Sequence, residues 1–374
     1  MSSDAVFAVV TGGGTSGHVI PALAILEILQ DRGHASESLR YVGSRRGVEK
    51  VLMQGQQFES EYLPISGLQR GRSIKSLLRN FLLPQAILRS YTQAYLLIRR
   101  WKPAVVISVG GYASSPMAFA ARLGRVSLVC VSYDRTPGLA TRRQAKHATS
   151  VAVAFEGSRL PRATMTGAPV RRELRELEVA NRRVSARQAL DIPADRIMVT
   201  VVGGSLGSAV LNKNIDQLLQ AMSKMQVDSI ALYHVCGTRH FAEPAAKAPP
   251  GVIYRRVAYE TRMADLLAAT DVMVCRAGAG TIAEITTVGV TAILVPWKDA
   301  AENHQQANAL WLEERGGVLI VNESDIASGV LTDVVISLLK NDSMRRNLAT
   351  IARSCGNLHR GKTLGDLIEA ASQR

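Results

Sequence analysis

Short apolar runs closed by glycine-rich turns alternate with amphipathic stretches along most of this chain. Ala5 to Val10, Leu39 to Gly43, Ala104 to Val109, Ser127 to Val131 and Ser150 to Ala154 have strand length and β-favouring side chains, as strands covered on both faces do. Between them, apolar residues return every three or four positions, from Ala22 to Gln30 in a pattern beginning near Pro21 and again from Pro84 to Trp101, which predicts helices. Near Gly167 to Arg171 the pattern stops and charged residues take over. It restarts with Ile197 to Val202, Ile230 to Val235, Asp271 to Cys275 and Ala292 to Pro296 as strands. Met263 to Ala269, Ile326 to Leu339, Met344 to Ser354 and Thr363 to Ser372 read as helices. Strand, turn and helix repeated in two halves predict an α/β chain with two Rossmann-like, doubly wound parallel-sheet domains. A length of 374 residues agrees, since it exceeds what one hydrophobic core serves.

The turns carry the candidate chemistry. Thr11-Gly-Gly-Gly-Thr-Ser-Gly-His18 joins the first strand to the first helix, and its glycines allow dihedrals closed to other residues. A helix entered this way points unpaired N–H groups and the positive end of its dipole at the loop, so a phosphate or diphosphate suits it. His18 stands where it could take a proton, although an ordinary βα turn with His18 as a hydrogen-bonded neighbour fits the same residues. Gly110-Gly111-Tyr112-Ala-Ser-Ser-Pro116 is a second such turn, expected beside the first at the carboxyl ends of the strands. Gly203-Gly204-Ser205-Leu206-Gly207-Ser208, opening a helix through Asn212, is a third, and Arg276-Ala-Gly-Ala-Gly-Thr281-Ile-Ala-Glu284 a fourth. Glu284, one turn into its helix, suits ribose hydroxyls better than a phosphate it would repel; as a first-turn acid it would equally complement the helix dipole. His304-Gln305-Gln306 is an uncharged cluster of the kind sugar hydroxyls require, or a helix face in water. Where an NAD-binding unit carries an acid, this chain has Ser44-Arg45-Arg46, which argues against NAD and leaves NADP as the dehydrogenase reading.

Charge narrows the partners. A formal charge of +14 calls for an anionic partner, which nucleic acid, acidic lipid or a phosphorylated small substrate would satisfy. With only 5% aromatic residues, no zinc spacing and no basic blocks interleaved with aromatics, nucleic acid is not expected. Between Ser66 and Pro84, Ile74, Leu77, Leu78, Phe81 and Leu82 form one apolar stripe flanked by Arg70, Arg72, Lys75 and Arg79, with no acidic residue. Taken alone, the stripe reads first as a core-facing helix with a solvated basic rim, and second as a helix lying at an anionic lipid surface. The scattered cysteines Cys130, Cys236, Cys275 and Cys355 predict buried thiols in a reducing, cytosolic setting. The N-terminus enters a strand without a leader pattern, and no uncharged stretch is long enough to cross a bilayer, so any membrane contact is expected to be peripheral.

Taken in order, several stretches resemble the lipid-linked N-acetylglucosaminyltransferases of glycosyltransferase family 28. They are Gly13 to Ala22, Val42 to Glu49, the Ser66-Gly-Leu segment, Gly110 to Tyr112, Gly167 to Arg171, Gly203 to Gly207 with Asn212, Cys275 to Glu284, and His304-Gln305. The resemblance implies a GT-B fold. Residues 1–168 would form an acceptor and membrane-associating domain, residues 169–348 a UDP-GlcNAc-binding domain facing it across a cleft, and the helix from about 349 to 374 would pack back on the first. It further implies an inverting, metal-independent transfer of GlcNAc from UDP-GlcNAc, the co-substrate, to the 4-hydroxyl of MurNAc in lipid I, giving lipid II for peptidoglycan synthesis. No Asp-x-Asp pair stands beside a sugar-site loop, as that expectation requires.

His18 is the best-suited base in the acceptor loop, and Asp134, where the chain departs from the family, its candidate partner; the remaining roles are carried over residue by residue. Ser205 and the Ala279-Gly280-Thr281 turn would meet the diphosphate, with Arg171 as a supporting cation. Glu284 would bind the ribose, the backbone near Tyr259 and Glu260 the uracil, and His304 with Gln305 the GlcNAc hydroxyls. Thr15, Ser16, Gly17, Gly204, Asn212 and Arg276 complete the donor set; Gly14, Gly110, Gly111 and Tyr112 hold the lipid diphosphate. The resemblance also reverses the preference for the apolar stripe, making Arg72, Ile74, Lys75, Leu78, Arg79, Phe81 and Leu82 a membrane patch. It implies anionic membrane lipids and cell-wall synthesis proteins as partners, at the cytoplasmic face of the cell membrane. One departure stands out: where the family usually carries His-Glu-Gln-Asn, this chain has Val131-Ser132-Tyr133-Asp134, and Thr141 replaces a common Asn. A soluble GT-B enzyme with another acceptor, or a weakened nucleotide-sugar-binding homologue, remains the alternative.

Overall fold

A computed structural model of the chain describes residues 5–45, 47–66, 83–204, 206–225 and 229–374. Its contacts divide the chain into two compact units, residues 1–172 with 361–374, and residues 173–360.

The first unit is built on seven parallel strands, β1 (Ala8–Thr11), β2 (Leu39–Ser44), β3 (Glu59–Leu63), β4 (Val105–Ser108), β5 (Ser127–Ser132), β6 (Ser150–Val153) and β7 (Ala163–Met165), in the order β3-β2-β1-β4-β5-β6-β7. Strands β1 and β4 are buried along their whole length, as their unbroken apolar sequences require in a sheet covered on both faces. Their register pairs Thr11 with Ser108, so the two Gly-rich turns leave the sheet side by side. That is where the strand order reverses, the place at which open α/β sheets bind ligands.

Helix α1 (Ser16–Asp31) starts before the expected Pro21 and carries that proline in its interior. Both Arg171 and Arg172 bind Glu27 of α1, through Arg171 Nε to Oε1 at 2.9 Å and Arg172 N to Oε2 at 2.8 Å. These bonds hold the first unit together through residue 172, past the expected boundary at 168.

The second unit has six parallel strands, β8 (Ile197–Val202), β9 (Ile230–Val235), β10 (Val252–Val257), β11 (Val272–Cys275), β12 (Ala292–Leu294) and β13 (Leu319–Ile320), ordered β10-β9-β8-β11-β12-β13. Its reversal lies between β8 and β11, where Cys275 pairs with Val202. The helices that open at this edge are α2 (Ala209–Lys213), α3 (Ala279–Val288) and α4 (His304–Glu313).

The chain returns to the first unit at Gly361, not near 349. The helix α5 (Asp342–Cys355) stays with the second unit because it packs along α3: a Cβ at Gly289, just past α3, would meet the Arg353 side chain at 2.8 Å, and Arg353 donates to Val288 O at 2.9 Å. After residue 360 the helix α6 (Thr363–Ser372) belongs to the first unit, where Arg32 at the end of α1 grips Glu369 and Asp366. Among the described residues, no helix is long and apolar enough to cross a membrane.

Candidate active site

In the first unit, the two glycine turns interlock. Gly14 has φ +95° and Gly111 has φ +76°; a Cβ on the former would sit 2.6 Å from the Tyr112 ring and one on the latter 2.7 Å from Gly13 O. Only glycine satisfies both the left-handed backbone and the close approach. The amides at the centre of this junction are already held by the protein. Gly14 N donates to Glu49 Oε1 at 2.7 Å, and Gly110 N donates to Ser108 Oγ at 3.3 Å. Glu49 is fully buried, and its carboxylate fills the hollow left by Gly13 and Gly47. An anion at this loop therefore meets the first-turn end of α1, which carries no acidic side chain, rather than the Gly14 amide.

His18, in the first turn of α1, faces a cavity of about 230 Å³ lined by Ser132, Tyr133, Asp134, Leu139 and Thr141 among others. Its Nδ1 lies 3.1 Å from Thr15 Oγ1. In the tautomer in which Nδ1–H donates there, Nε2 keeps its lone pair, on the side where a Cβ at Gly110 would approach to 3.7 Å. Burial lowers the His18 pKa from its ordinary value and the Asp134 charge partly restores it, so the imidazole is neutral at pH 7, as a base must be. The ring of Tyr133 meets His18 edge-on, with centroids 6.4 Å apart.

In the second unit, Gly278 caps α3, so Ala279, Gly280 and Thr281 present first-turn amides with no acceptor inside the helix. The carboxylate of Glu284, one turn on, lies close enough to Tyr259 to add to the burial that raises the phenol's pKa. Glu260 is committed within the protein: it accepts from Tyr233 Oη at 2.6 Å and from Arg262 N at 2.8 Å. Burial opposes its charge, and the bonds from Arg262 and Tyr233 outweigh it, leaving the carboxyl below its ordinary range. His304 and Gln305 open α4; His304 Nδ1–H donates to Ala301 O at 2.7 Å, leaving Nε2 to accept, and Gln305 Oε1 accepts from Trp297 N at 2.9 Å. Glu302 and Asn303, at φ +54° and +52°, make the strained entry to that helix.

The structure gives several expected site residues supporting contacts. Arg276 donates to Ser208 Oγ at 2.7 Å and Val295 O at 3.1 Å and pairs with the buried Glu323 at 2.5 Å, tying three loops together. Asn212 turns its amide inward, to Cys236 O and His234. Arg171 belongs to the first unit, on Glu27. Ser205 and the stripe containing Arg72, Ile74, Lys75, Leu78, Arg79, Phe81 and Leu82 lie outside the described residues. His234, Asn308 and Glu323 carry no sequence signal of their own, and Glu49 closes the resembling Val42 to Glu49 stretch with no role attached to it, yet each fixes a loop; Asn308, fully buried, reaches Ala277 O at 3.4 Å.

Two parallel-sheet units, each with glycine turns at its switch point, match the GT-B architecture. The chain belongs to glycosyltransferase family 28: the family's N-terminal domain matches residues 8–153 and its C-terminal domain residues 198–357. Among its relatives, the Desulforamulus reducens UDP-N-acetylglucosamine--N-acetylmuramyl-(pentapeptide) pyrophosphoryl-undecaprenol N-acetylglucosamine transferase is 32% identical over 98% of both chains. The Desulforudis audaxviator protein of the same name is 34% identical over 96% of both. Acinetobacter baumannii MurG shares the fold, with a TM-score of 0.72 and 24% identity over 99% of this chain and 100% of that one.

Proposed function

We propose that this chain transfers GlcNAc from UDP-GlcNAc to the 4-hydroxyl of MurNAc in lipid I, forming lipid II. Full-length similarity to relatives of that name supports it. The observation that carries it is the presence, in one chain, of a neutral His18 facing a polar-lined cavity and of a donor edge where Glu284 and Tyr259 adjoin the first turn of α3.

The hydroxyl oxygen attacks the anomeric carbon from the side opposite UDP. A new C–O bond forms as the bond to the phosphate oxygen breaks, and configuration inverts. His18 Nε2 takes the proton, with Thr15 holding Nδ1 and Asp134 stabilising the imidazolium that results. The leaving electron pair goes to UDP, whose charge is met by the amides of Ala279, Gly280 and Thr281, with Gly204 and the Ser205 hydroxyl as further contacts of the diphosphate. Glu284 receives the ribose, the backbone at Tyr259 and Glu260 the uracil, and His304 and Gln305 the sugar hydroxyls. Arg276 and Asn212 act by holding the diphosphate loop. Thr15, Ser16 and Gly17 complete the donor side, Gly110, Gly111 and Tyr112 line the lipid diphosphate's place, and the 72–82 stripe attaches the enzyme to anionic lipid at the cytoplasmic face.

Release of UDP should depend on a lipid I analogue and fall by about a hundredfold or more in His18→Ala. Acceptor-independent release at the full rate, or an unimpaired His18→Ala, would contradict the mechanism.

A further inference from the structure

The glycine loop after β8 is held from behind by the turn that leaves β9. A Cβ at Gly207 would lie 2.1 Å from Cys236 O, and one at Gly237 2.3 Å from Gly207 N, so the two backbones are in direct contact. Whatever fixes the Cys236-Gly237 turn therefore fixes the loop. Asn212 does so from α2, its Nδ2 donating to Cys236 O at 3.0 Å. That bond sets the direction of the amide, and Asn212 Oδ1 must accept; it accepts from His234 Nε2 at 2.9 Å. A neutral imidazole donating from Nε2 presents a lone pair at Nδ1, which receives the Tyr254 hydroxyl at 3.0 Å. Each polar atom in the series has one role, and reversing the Asn212 amide would set two acceptors, Oδ1 and Cys236 O, against each other.

We infer that His234 is a positioning residue for the nucleotide site: it locks the amide of Asn212 and, through the clamp on Cys236, sets the backbone at Gly207, at the end of the loop after β8, for the donor diphosphate. The inference rests on the proposed reading of that loop as part of the UDP-GlcNAc site. His234 is 3% exposed, and a merely space-filling histidine in β9 would not need its two nitrogens distinguished.

The test compares His234→Leu, which keeps bulk and removes both bonds, with His234→Gln, whose amide donates toward Asn212 and whose carbonyl accepts from Tyr254. Titration calorimetry gives the affinity for UDP, and steady-state rates give KM for donor and acceptor separately, with thermal unfolding confirming the fold. His234→Leu should weaken UDP and raise donor KM by about tenfold while acceptor KM stays within about twofold, and His234→Gln should recover to within about threefold of the parent. A folded His234→Leu that binds UDP like the parent, a His234→Gln no better than leucine, or an equal loss for both substrates would overturn the inference. If His234→Leu does not fold, Tyr254→Phe decides: about threefold weaker UDP binding supports the series, and no change refutes it. A parent chain that binds no UDP would refute the donor-site reading itself, and the inference with it.

Discussion

Tyr133 Oη donates to the Gly17 carbonyl at 2.7 Å, and Pro21 is the reason that carbonyl is open. In an α-helix the N–H of residue 21 would bond the carbonyl of residue 17, and proline has none. The phenol, which burial holds protonated, supplies the missing donor one residue from His18 and sets its ring edge on that imidazole. Tyr133 stands where the family usually has Gln, and in this chain it aims a donor at the first turn of α1. Tyr133→Phe should cost about 1 kcal/mol of stability and lower kcat several-fold with donor KM unchanged; Tyr133→Gln should recover most of both. Denaturant unfolding and steady-state rates check the pair.

The acid limb of kcat/KM should reflect His18. The base works only when neutral, and since burial lowers its pKa despite Asp134, the midpoint of the acid limb should lie below the ordinary imidazole value, near 6.5, with activity falling as His18 protonates. Asp134→Asn removes the raising influence and should move the limb to still lower pH, with a smaller plateau rate from the weaker base. A limb that moves upward in Asp134→Asn would contradict the assignment.

The Arg276–Glu323 pair is buried, with side chains 13% and 6% exposed. Glu323→Ala leaves the guanidinium without its carboxylate among three loops, and should cost about 3–5 kcal/mol and weaken UDP binding; Glu323→Gln, which keeps an acceptor, should cost less. Thermal unfolding with and without UDP separates the two effects.

Docking of α6 should depend on pH. Arg32 and His34 hold Glu369 at a pKa of about 2, the Arg32 hydrogen bond first among the causes. A carboxyl depressed below its unfolded value stabilises the fold above that value, near 4.5, and the gain is lost as pH falls toward 2. Glu369→Gln should therefore lower stability by about 1 kcal/mol at pH 7, with the difference shrinking below pH 4. Unfolding curves at the two pH values check it.

The sequence makes the inner strands of both sheets legible because burial on two faces leaves largely apolar runs, as in Ala8–Thr11 and Val272–Cys275. The edge strands escape notice for the opposite reason: Glu59–Leu63 and Ala163–Met165 are partly exposed, and their composition follows suit. The helix start at Ser16 is hidden by Pro21, a breaker by local rules that is tolerated here because Tyr133 supplies the absent donor. Glycine turns reveal the candidate site since positive φ leaves a compositional trace. Its supports leave none: Glu49 meets Gly14 across 35 residues and Tyr133 meets Gly17 across 116, distances that only folding closes.

The most direct test is transfer of radiolabelled GlcNAc from UDP-GlcNAc to a short-chain lipid I analogue, with the product's anomeric configuration read by NMR. The account predicts one GlcNAc per acceptor, β-linked at the 4-hydroxyl of MurNAc. Label that stays with the nucleotide, or an α-linked product, would contradict it.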